Sequence, residues 1–208
     1  HGPQSGPEQN LDLLEQVAGN PAYLFFYWVH PDPEFSNMDQ TLRVIEDSLD
    51  LISGIKFHPS ISQHTIDSPG LRPMIDLAAK HRLPVLVHTG RNDISDARHV
   101  HSAALKFPAA NFIMAHLGGQ AYDRIMDMMD FFTEAGIPPN VYWDTSQSAH
   151  SVLLRRAVDR LGADRLLFGT DVPFKEYWYA THMVESIGLS DSQKEAIYRG
   201  NIMRLLRI

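Results

Sequence analysis

The sequence contains no cysteine among its 208 residues. Disulfide bonds, a thiolate nucleophile and a cysteine-ligated metal site are therefore excluded. Any metal ion that the chain binds must be held by histidine nitrogen, carboxylate oxygen and water. The candidate metal ligands are therefore the 11 histidines and the acidic side chains.

Long hydrophobic runs are also missing. The most apolar segment is Tyr23–Val29, far shorter than the ~20 residues that a membrane-spanning helix needs. Residues 1–7 are polar and rich in glycine and proline, and they lack the basic and then apolar order of a signal peptide. The sequence therefore predicts no membrane association and a cytoplasmic location.

Positive charge is scarce, because 18 Lys and Arg stand against 25 Asp and Glu, for a formal net charge of −7. No stretch gathers basic residues as nucleic-acid-binding proteins do. We expect a small-molecule substrate as the partner, no nucleic acid, and leave a homo-oligomer open. A chain of this length with 44% hydrophobic and 21% charged residues predicts one globular domain over residues 1–208.

Short apolar runs alternate with longer amphipathic stretches, which is the pattern of repeated βα units. The pattern predicts an α/β protein with a parallel sheet covered by helices. The predicted strands are Tyr23–Val29, Gly54–Phe57, Val85–His88, Phe112–His116, Val141–Thr145 and Leu166–Gly169. The predicted helices are Glu8–Ala18, Met38–Leu51, Leu71–His81, Asp96–Phe107, Tyr122–Ala135, Ser151–Leu161, Tyr177–Ile187 and a last helix from about Ser190 to Leu206.

Four of these strands end in polar, chemically capable residues, in the segments GIKFHP, VLVHTG, FIMAHLGG and LLFGTDVPF. In a (β/α)8 barrel the carboxyl ends of the strands open on one face, where active sites lie. We therefore expect His88, His116 and Asp171 to converge. Lys56 and His58 are two residues apart on one strand and so share a face, which makes them candidates for substrate binding.

Alternation gives the directions of the other side chains. If His88 faces the barrel interior, Leu86 does too, and the same rule pairs Met114 with His116. Two imidazoles and one carboxylate suit a divalent ion, with zinc as the first expectation and manganese or iron as alternatives. Such an ion lowers the pKa of a bound water to about 7. Asp171 is then the candidate base for that water, and His116 is the candidate to bind the metal or to polarise substrate.

The succession GIKFHP, LPVLVHTG, FIMAHLGG, VYWDTS and RLLFGTDVPF, closing with RGNIMRLL, resembles the amidohydrolase-2 branch of the amidohydrolase superfamily. The resemblance implies a TIM barrel of the metal-dependent hydrolase type with one divalent metal ion. It implies that His88 is the metal ligand after the fifth strand and Asp171 the ligand after the eighth. His116 matches the histidine after the sixth strand, which in decarboxylase-like members acts on substrate or water more than as a ligand.

The family's first strand, which ends in a His-x-His metal-binding pair, has no counterpart here. The apolar run before His30 resembles the third strand of the family, so the chain corresponds to strands three to eight, a barrel incomplete at its N-terminus. His99 and His101 have the right spacing but lie in a predicted helix, where residues two apart diverge. A fragment of a longer protein is the expected explanation, and a divergent member with a reduced metal site is the alternative.

Two further residues are candidates for substrate binding. Arg91 follows the His88 strand and has the guanidinium that pairs with carboxylates, although most loop arginines are only solvated. Trp143 lies in the seventh strand of the family pattern, next to Asp144, which is positioned to support a ligand histidine.

These residues predict an enzyme, a metal-dependent hydrolase in which metal-activated water attacks a carbonyl-type carbon. The alternative within enzymes is a metal-dependent non-oxidative decarboxylase of a small carboxylic acid, with Arg91 and Lys56 holding the carboxylate. The alternative from another class is a non-catalytic barrel remnant that binds a small molecule or a partner chain, since fold-level kinship does not fix function.

Overall fold

A computed structural model describes residues 7–20, 22–32, 37–146 and 150–208. Its centre is one sheet of six parallel strands in sequential order. The limits of each strand differ by at most two residues from the predicted ones. The strands are β1 Phe25–Val29, β2 Ile52–Phe57, β3 Val85–Val87, β4 Phe112–Met114, β5 Val141–Asp144 and β6 Leu166–Leu167.

Helices connect the strands, as the predicted βα units require. The second helix ends at Asp47 and not at the predicted Leu51, because the chain turns at Ser48 and Ile52 already enters the sheet. The helices are α1 Pro7–Val17, α2 Met38–Asp47, α3 Pro59–Ser62, α4 Arg72–His81, α5 Ala97–Lys106, α6 Tyr122–Ala135, α7 Ser151–Leu161, α8 Tyr177–Ser186, α9 Asp191–Glu195 and α10 Asn201–Leu206. Short 3-10 turns span Pro69–Leu71, Asp93–Ser95, His116–Gly118 and Ala163–Arg165.

The larger hydrophobic core lies between the helices and one face of the sheet. Alternate strand residues supply it, including Phe57, Val87, Met114 and Trp143, all almost completely buried. This distribution explains the apolar strands, since a parallel sheet buries one face against its crossover helices.

The opposite face of the sheet carries a second, smaller cluster. Leu86, Ile113 and Leu167 lie on this face and pack with Ile202 and Leu205 of α10. At the β1 end of the same face, Phe26 lies so close to Gly54 that a Cβ there would be 2.3 Å from the ring. Glycine is therefore required for β1 and β2 to approach each other at this point.

Both outer edges of the sheet are covered by asparagine side chains from helices. On β1, the Trp28 amide donates to Asn10 Oδ1 (3.1 Å) and Asn10 Nδ2 donates to the Trp28 carbonyl (2.8 Å). At the other edge, Asn201 Nδ2 donates to the carbonyl oxygens of Leu166 in β6 and of Ala163 in the preceding 3-10 turn, both at 2.7 Å. Unpaired strand edges invite pairing with other chains, so these amides satisfy backbone groups that a neighbouring strand would otherwise bond.

The predicted last helix is broken into α9, a π-helical segment Ala196–Gly200 and α10. Ser190 and Gln193 form the predicted capping box at its start. Within the π segment the Ile197 carbonyl accepts a hydrogen bond from the Phe168 amide (2.8 Å), just beyond β6. The widened turn therefore brings the helix against the end of the sheet, which the amphipathic pattern alone does not reveal.

No helix in the described part of the chain is long and apolar enough to cross a bilayer. Residues 1–6, which enter the prediction about a signal peptide, lie outside the described residues.

We predict that Asn201→Ala lowers the free energy of unfolding by about 2–3 kcal/mol, because one buried and one partly buried carbonyl group lose their donor. Asn201 itself is completely buried. Urea unfolding measures the effect. The control is Asn20→Ala, an exposed site whose side chain accepts only from the Ala22 amide, with an expected change below about 0.5 kcal/mol. Equal losses in the two variants would contradict this account of the edge.

Candidate functional site

Three imidazoles meet at the carboxyl ends of neighbouring strands. Lys56 of β2 pairs with Leu86 of β3, so His58 and His88, each two residues further on, lie opposite one another. Their rings stack with centres 3.8 Å apart and planes 12° apart. The predicted orientation of His88 with Leu86, and of His58 with Lys56, agrees with this arrangement.

His116 completes the cluster from beyond β4. Its ring lies 5.0 Å from that of His88, at 74°, and its Nε2 atom is 3.1 Å from His88 Nδ1. The structure thus brings together both histidines that the sequence selects as metal ligands.

The way in which His116 reaches the site differs from the prediction. Met114 was expected to share its face, but Met114 is buried in the helix-side core. The strand ends at Met114, and His116 and Leu117 then adopt positive φ angles of 59° and 50°. This left-handed turn redirects the side chain, so strand alternation no longer applies. Gly119, just after this turn, is closely packed, because a Cβ there would lie 2.8 Å from the Ile125 amide nitrogen.

A hydrogen-bond network fixes His116 from behind. Asp144 Oδ1, at the end of β5, accepts from the His116 amide (2.9 Å) and from the Ser146 amide (2.9 Å). Ser146 Oγ also donates to Asp144 Oδ1, and it lies 2.8 Å from His116 Nδ1. Asp144 therefore has the predicted supporting role, whereas Ser146, the last residue of the VYWDTS segment, is a partner that the sequence analysis did not select.

Trp28 extends the row of rings on the other side. It pairs with Lys56 across β1 and β2, and its ring stacks on His58 with centres 5.9 Å apart and planes 22° apart. In the sequence it lies inside an apolar run, so only the register of the two strands reveals that it faces the site. The rings of Trp28, His58 and His88 are therefore stacked face to face in one row, here called the ring wall.

Burial keeps the imidazoles neutral. It lowers the pKa of His88 to about 2, with help from the neighbouring His58 and His116, and that of His58 to about 4, with help from Lys56. Burial also lowers the pKa of His116, although the carboxylates of Asp144 and Asp171 oppose the shift. Neutral imidazole nitrogens can act as metal ligands or hydrogen-bond acceptors at neutral pH.

Lys56 and Asp171 place opposite charges beside these rings. Burial lowers the pKa of Lys56 to about 8, and the charges of Asp144 and Asp171 oppose that shift. Asp171 lies four residues beyond β6 with a φ of 60°, and its carboxylate acts on the charge of His58, His116 and Lys56. The side chain predicted as the third metal ligand therefore reaches the cluster electrostatically.

Two predicted substrate-binding residues lie elsewhere. The completely buried ring of Trp143 faces the helices, packs on Phe132 and donates to Met128 Sδ. The strand directs Tyr142 and Asp144, not Trp143, toward the site. Arg91 is exposed and lines a surface cavity with Arg124, and no described contact joins it to the imidazoles.

The donor atoms of the cluster are neutral imidazole nitrogens and a carboxylate oxygen, which are types of ligand that a divalent metal ion binds. The 3.1 Å between His88 Nδ1 and His116 Nε2 is compatible with one ion at about 2.0–2.1 Å from each nitrogen. His58 Nδ1 is buried and has no hydrogen-bond partner among the described residues, so it is available to a group in the site. As the described side chains stand, no three His, Asp or Glu groups surround one point closely enough to hold an ion, so the carboxylate would have to move inward.

A protein-family model described as Amidohydrolase matches residues 3–208. The chain belongs to the amidohydrolase family. The superfamily is metal-dependent, so the predicted resemblance is confirmed at this level, and the identity of the metal stays a prediction.

A curated relative and a solved structure show what the chain is similar to. Gamma-resorcylate decarboxylase from Polaromonas sp. strain JS666 is 27% identical over 122 residues, which are 50% of this chain and 36% of that protein. A TIM-barrel protein from Bordetella bronchiseptica matches with a TM-score of 0.78 at 20% identity, over 95% of this chain and 72% of that one. The six parallel strands thus form part of a (β/α)8 barrel, and their assignment to strands three to eight stays a prediction.

A third relative was solved with a metal ion. Dihydroxybenzoic acid decarboxylase from Polaromonas sp. JS666, with bound manganese and the inhibitor 2-nitroresorcinol, matches with a TM-score of 0.69 at 22% identity, over 99% of this chain and 75% of that one. The curated decarboxylase above is matched over about a third of its length, as its 36% coverage states.

We predict that metal-free protein loses stability as the pH falls from about 6.5 toward 4. In the unfolded chain histidine has a pKa near 6.5, whereas the pKa values of His58 and His88 in the fold are about 4 and about 2. The unfolded state then binds more protons in this window, so protonation favours unfolding. The slope is at most about 1.4 kcal/mol per pH unit for each histidine, and solvent screening reduces it.

Urea unfolding of chelator-treated protein at several pH values measures this slope. The double variant His58→Asn, His88→Asn should flatten it. His182→Gln, at an exposed histidine of α8, is the matched control and should leave it unchanged. An unchanged slope in the double variant would show that the two rings are not held neutral by burial.

Proposed function

We propose that the protein is a metal-dependent, non-oxidative decarboxylase of a small aromatic carboxylic acid. The observation that carries the proposal is the ring wall beside the Lys56 ammonium group. A row of aromatic rings next to a partly buried cation is complementary to an aromatic ring that bears a carboxylate.

The relatives support this substrate class. The curated relative is a decarboxylase, and the solved relative with manganese is named for dihydroxybenzoic acid and contains a nitroresorcinol inhibitor. Both names describe an aromatic ring with oxygen substituents. Because the sequence identities of these two relatives are only 27% and 22%, the substrate class is a proposal for this protein.

His88, His116 and Asp171 are the residues proposed to hold the metal ion, with zinc, manganese and iron as candidates. When bound, a divalent ion in such a site supplies Lewis-acid polarisation of a substrate oxygen. The nitrogen atoms of His88 and His116 that face each other at 3.1 Å are the proposed ligand atoms.

The other residues have separate proposed roles. The substrate ring is proposed to lie beside the ring wall, with its carboxylate toward Lys56. Asp171 is proposed to pass a proton to the ring carbon that carries the carboxylate, and His116 takes this role instead of binding the metal ion only if its Nε2 atom is not a ligand. As the new C–H bond forms, the C–C bond to the carboxylate breaks and its electron pair remains with the ring, so that one proton is consumed and carbon dioxide is released.

Hydrolysis is the second candidate function, and the family itself favours it, since the matching model is named Amidohydrolase. The same acid–base group would serve, with Asp171 accepting the proton of an attacking water molecule. The two reactions differ in their products, because hydrolysis incorporates an oxygen atom from water and decarboxylation does not.

We predict that manganese- or zinc-supplemented protein releases carbon dioxide from one or more hydroxybenzoic acids. Asp171→Asn should lower kcat by about 10²–10⁴-fold, as expected for loss of an acid–base group. Asp159→Asn is the matched control, because Asp159 pairs with Arg155 at the surface, and its kcat should not change. Carbon dioxide release and 18O uptake from labelled water are measured in parallel.

Uptake of 18O without carbon dioxide, from the same acids or from a panel of lactones and amides, would replace decarboxylation by hydrolysis. Neither product from the metal-loaded protein would contradict both enzymatic functions and favour a non-catalytic barrel that binds a small molecule or a partner chain.

A further inference from the structure

Ser146 is a buried hydroxyl group that links the Asp144 carboxylate to the His116 ring. The residue is 4% exposed. Its Oγ atom donates to Asp144 Oδ1 and lies 2.8 Å from His116 Nδ1. It follows β5 directly, on the segment that also carries Asp144, so the three groups are held by two adjacent strand ends.

The direction of each hydrogen bond follows from the number of protons. An ionised carboxylate only accepts, and a serine hydroxyl has one proton to donate. The Ser146 proton is directed to Asp144, so toward His116 the Oγ atom can act only as an acceptor. His116 must then carry its proton on Nδ1, and the lone pair of the neutral ring lies on Nε2.

The Nε2 atom is the one that faces His88 Nδ1 at 3.1 Å. In the other tautomer a hydrogen on Nε2 would point into the site and block the nitrogen from binding a metal ion or accepting a proton. A carboxylate behind a histidine is a common way of fixing its tautomer. Here a hydroxyl group stands between the two.

We propose that Ser146 is a positioning residue that, with Asp144, fixes the proton of His116 on Nδ1 and leaves the lone pair of Nε2 directed toward the site. The consequence for catalysis rests on the proposed function, whereas the tautomer itself does not. No motif assigns such a role to Ser146, which the sequence places simply after a strand.

The tautomer can be measured directly in the metal-free protein. Long-range proton–nitrogen correlation spectra of 15N-histidine-labelled protein at pH 7.5 distinguish protonated from unprotonated ring nitrogens, and the His116 signals are assigned by their loss in His116→Gln. We expect wild-type His116 to be protonated on Nδ1. In Ser146→Ala the acceptor is lost, and roughly half or more of His116 should carry its proton on Nε2.

Thr145→Val is the matched control. Thr145 is also buried, and its hydroxyl accepts from the Gly169 amide at 3.1 Å and contacts the Gly169 carbonyl. Its loss removes a hydroxyl of the same segment without touching His116. We expect the His116 tautomer to be unchanged in this variant. An equal change in both variants would show that the effect is structural and would overturn the proposal.

The kinetic consequence is measured separately. With a hydroxybenzoic acid as substrate, Ser146→Ala should lower kcat by about 10–100-fold with little change in KM, as expected for loss of a group that orients another. Wild-type His116 protonated on Nε2 would overturn the proposal without any variant. An Nδ1 proton in a wild-type protein that releases no carbon dioxide would overturn the proposed function and leave the positioning role intact.

Discussion

In-register pairing of β2 with β3 is the constraint on which the rest of the site depends. Because Lys56 pairs with Leu86, the residues that follow the two strands, His58 and His88, meet face to face. The same register on the other side brings Trp28 next to Lys56. A shift of one residue in either strand would direct these side chains into the helix-side core.

Burial then shifts the pKa values of the side chains in the site. The imidazoles of His58 and His88 lose water on assembly, and their pKa values fall far enough to keep them neutral in the physiological range. Lys56 keeps part of its charge because Asp144 and Asp171 offset its loss of hydration. A site with neutral nitrogen donors, one cation and two carboxylates is suited to metal binding and to proton transfer.

Most of the strand and side-chain positions described above could be predicted from the sequence. Each position that could not be predicted has a physical reason. Strand positions, the shared face of Lys56 and His58, and the capping box at Ser190 all follow from local periodicity or spacing. The position of the His116 side chain cannot be predicted in this way. The chain takes a left-handed turn after Met114, so strand alternation stops there. Trp143 lies in the helix-side core and away from the imidazoles, because one position along a strand reverses the face of a side chain.

Trp28 and Ser146 could not be recognised from the sequence for a different reason. Each belongs to the site only through a partner distant in the chain, His58 for Trp28 and His116 for Ser146. An apolar run and a serine after a strand are each common, and neither carries a signal of its own. These contacts depend on how distant segments of the chain pack together, which the local sequence pattern does not show.

The central claim is that His88 and His116 form the nitrogen half of a metal site. The most direct test is anomalous diffraction from crystals of the chain grown with manganese. The account predicts one strong peak within about 2.0–2.3 Å of His88 Nδ1 and His116 Nε2, with the Asp171 carboxylate drawn toward it. A peak located elsewhere, or no peak at saturating manganese, would contradict the claim.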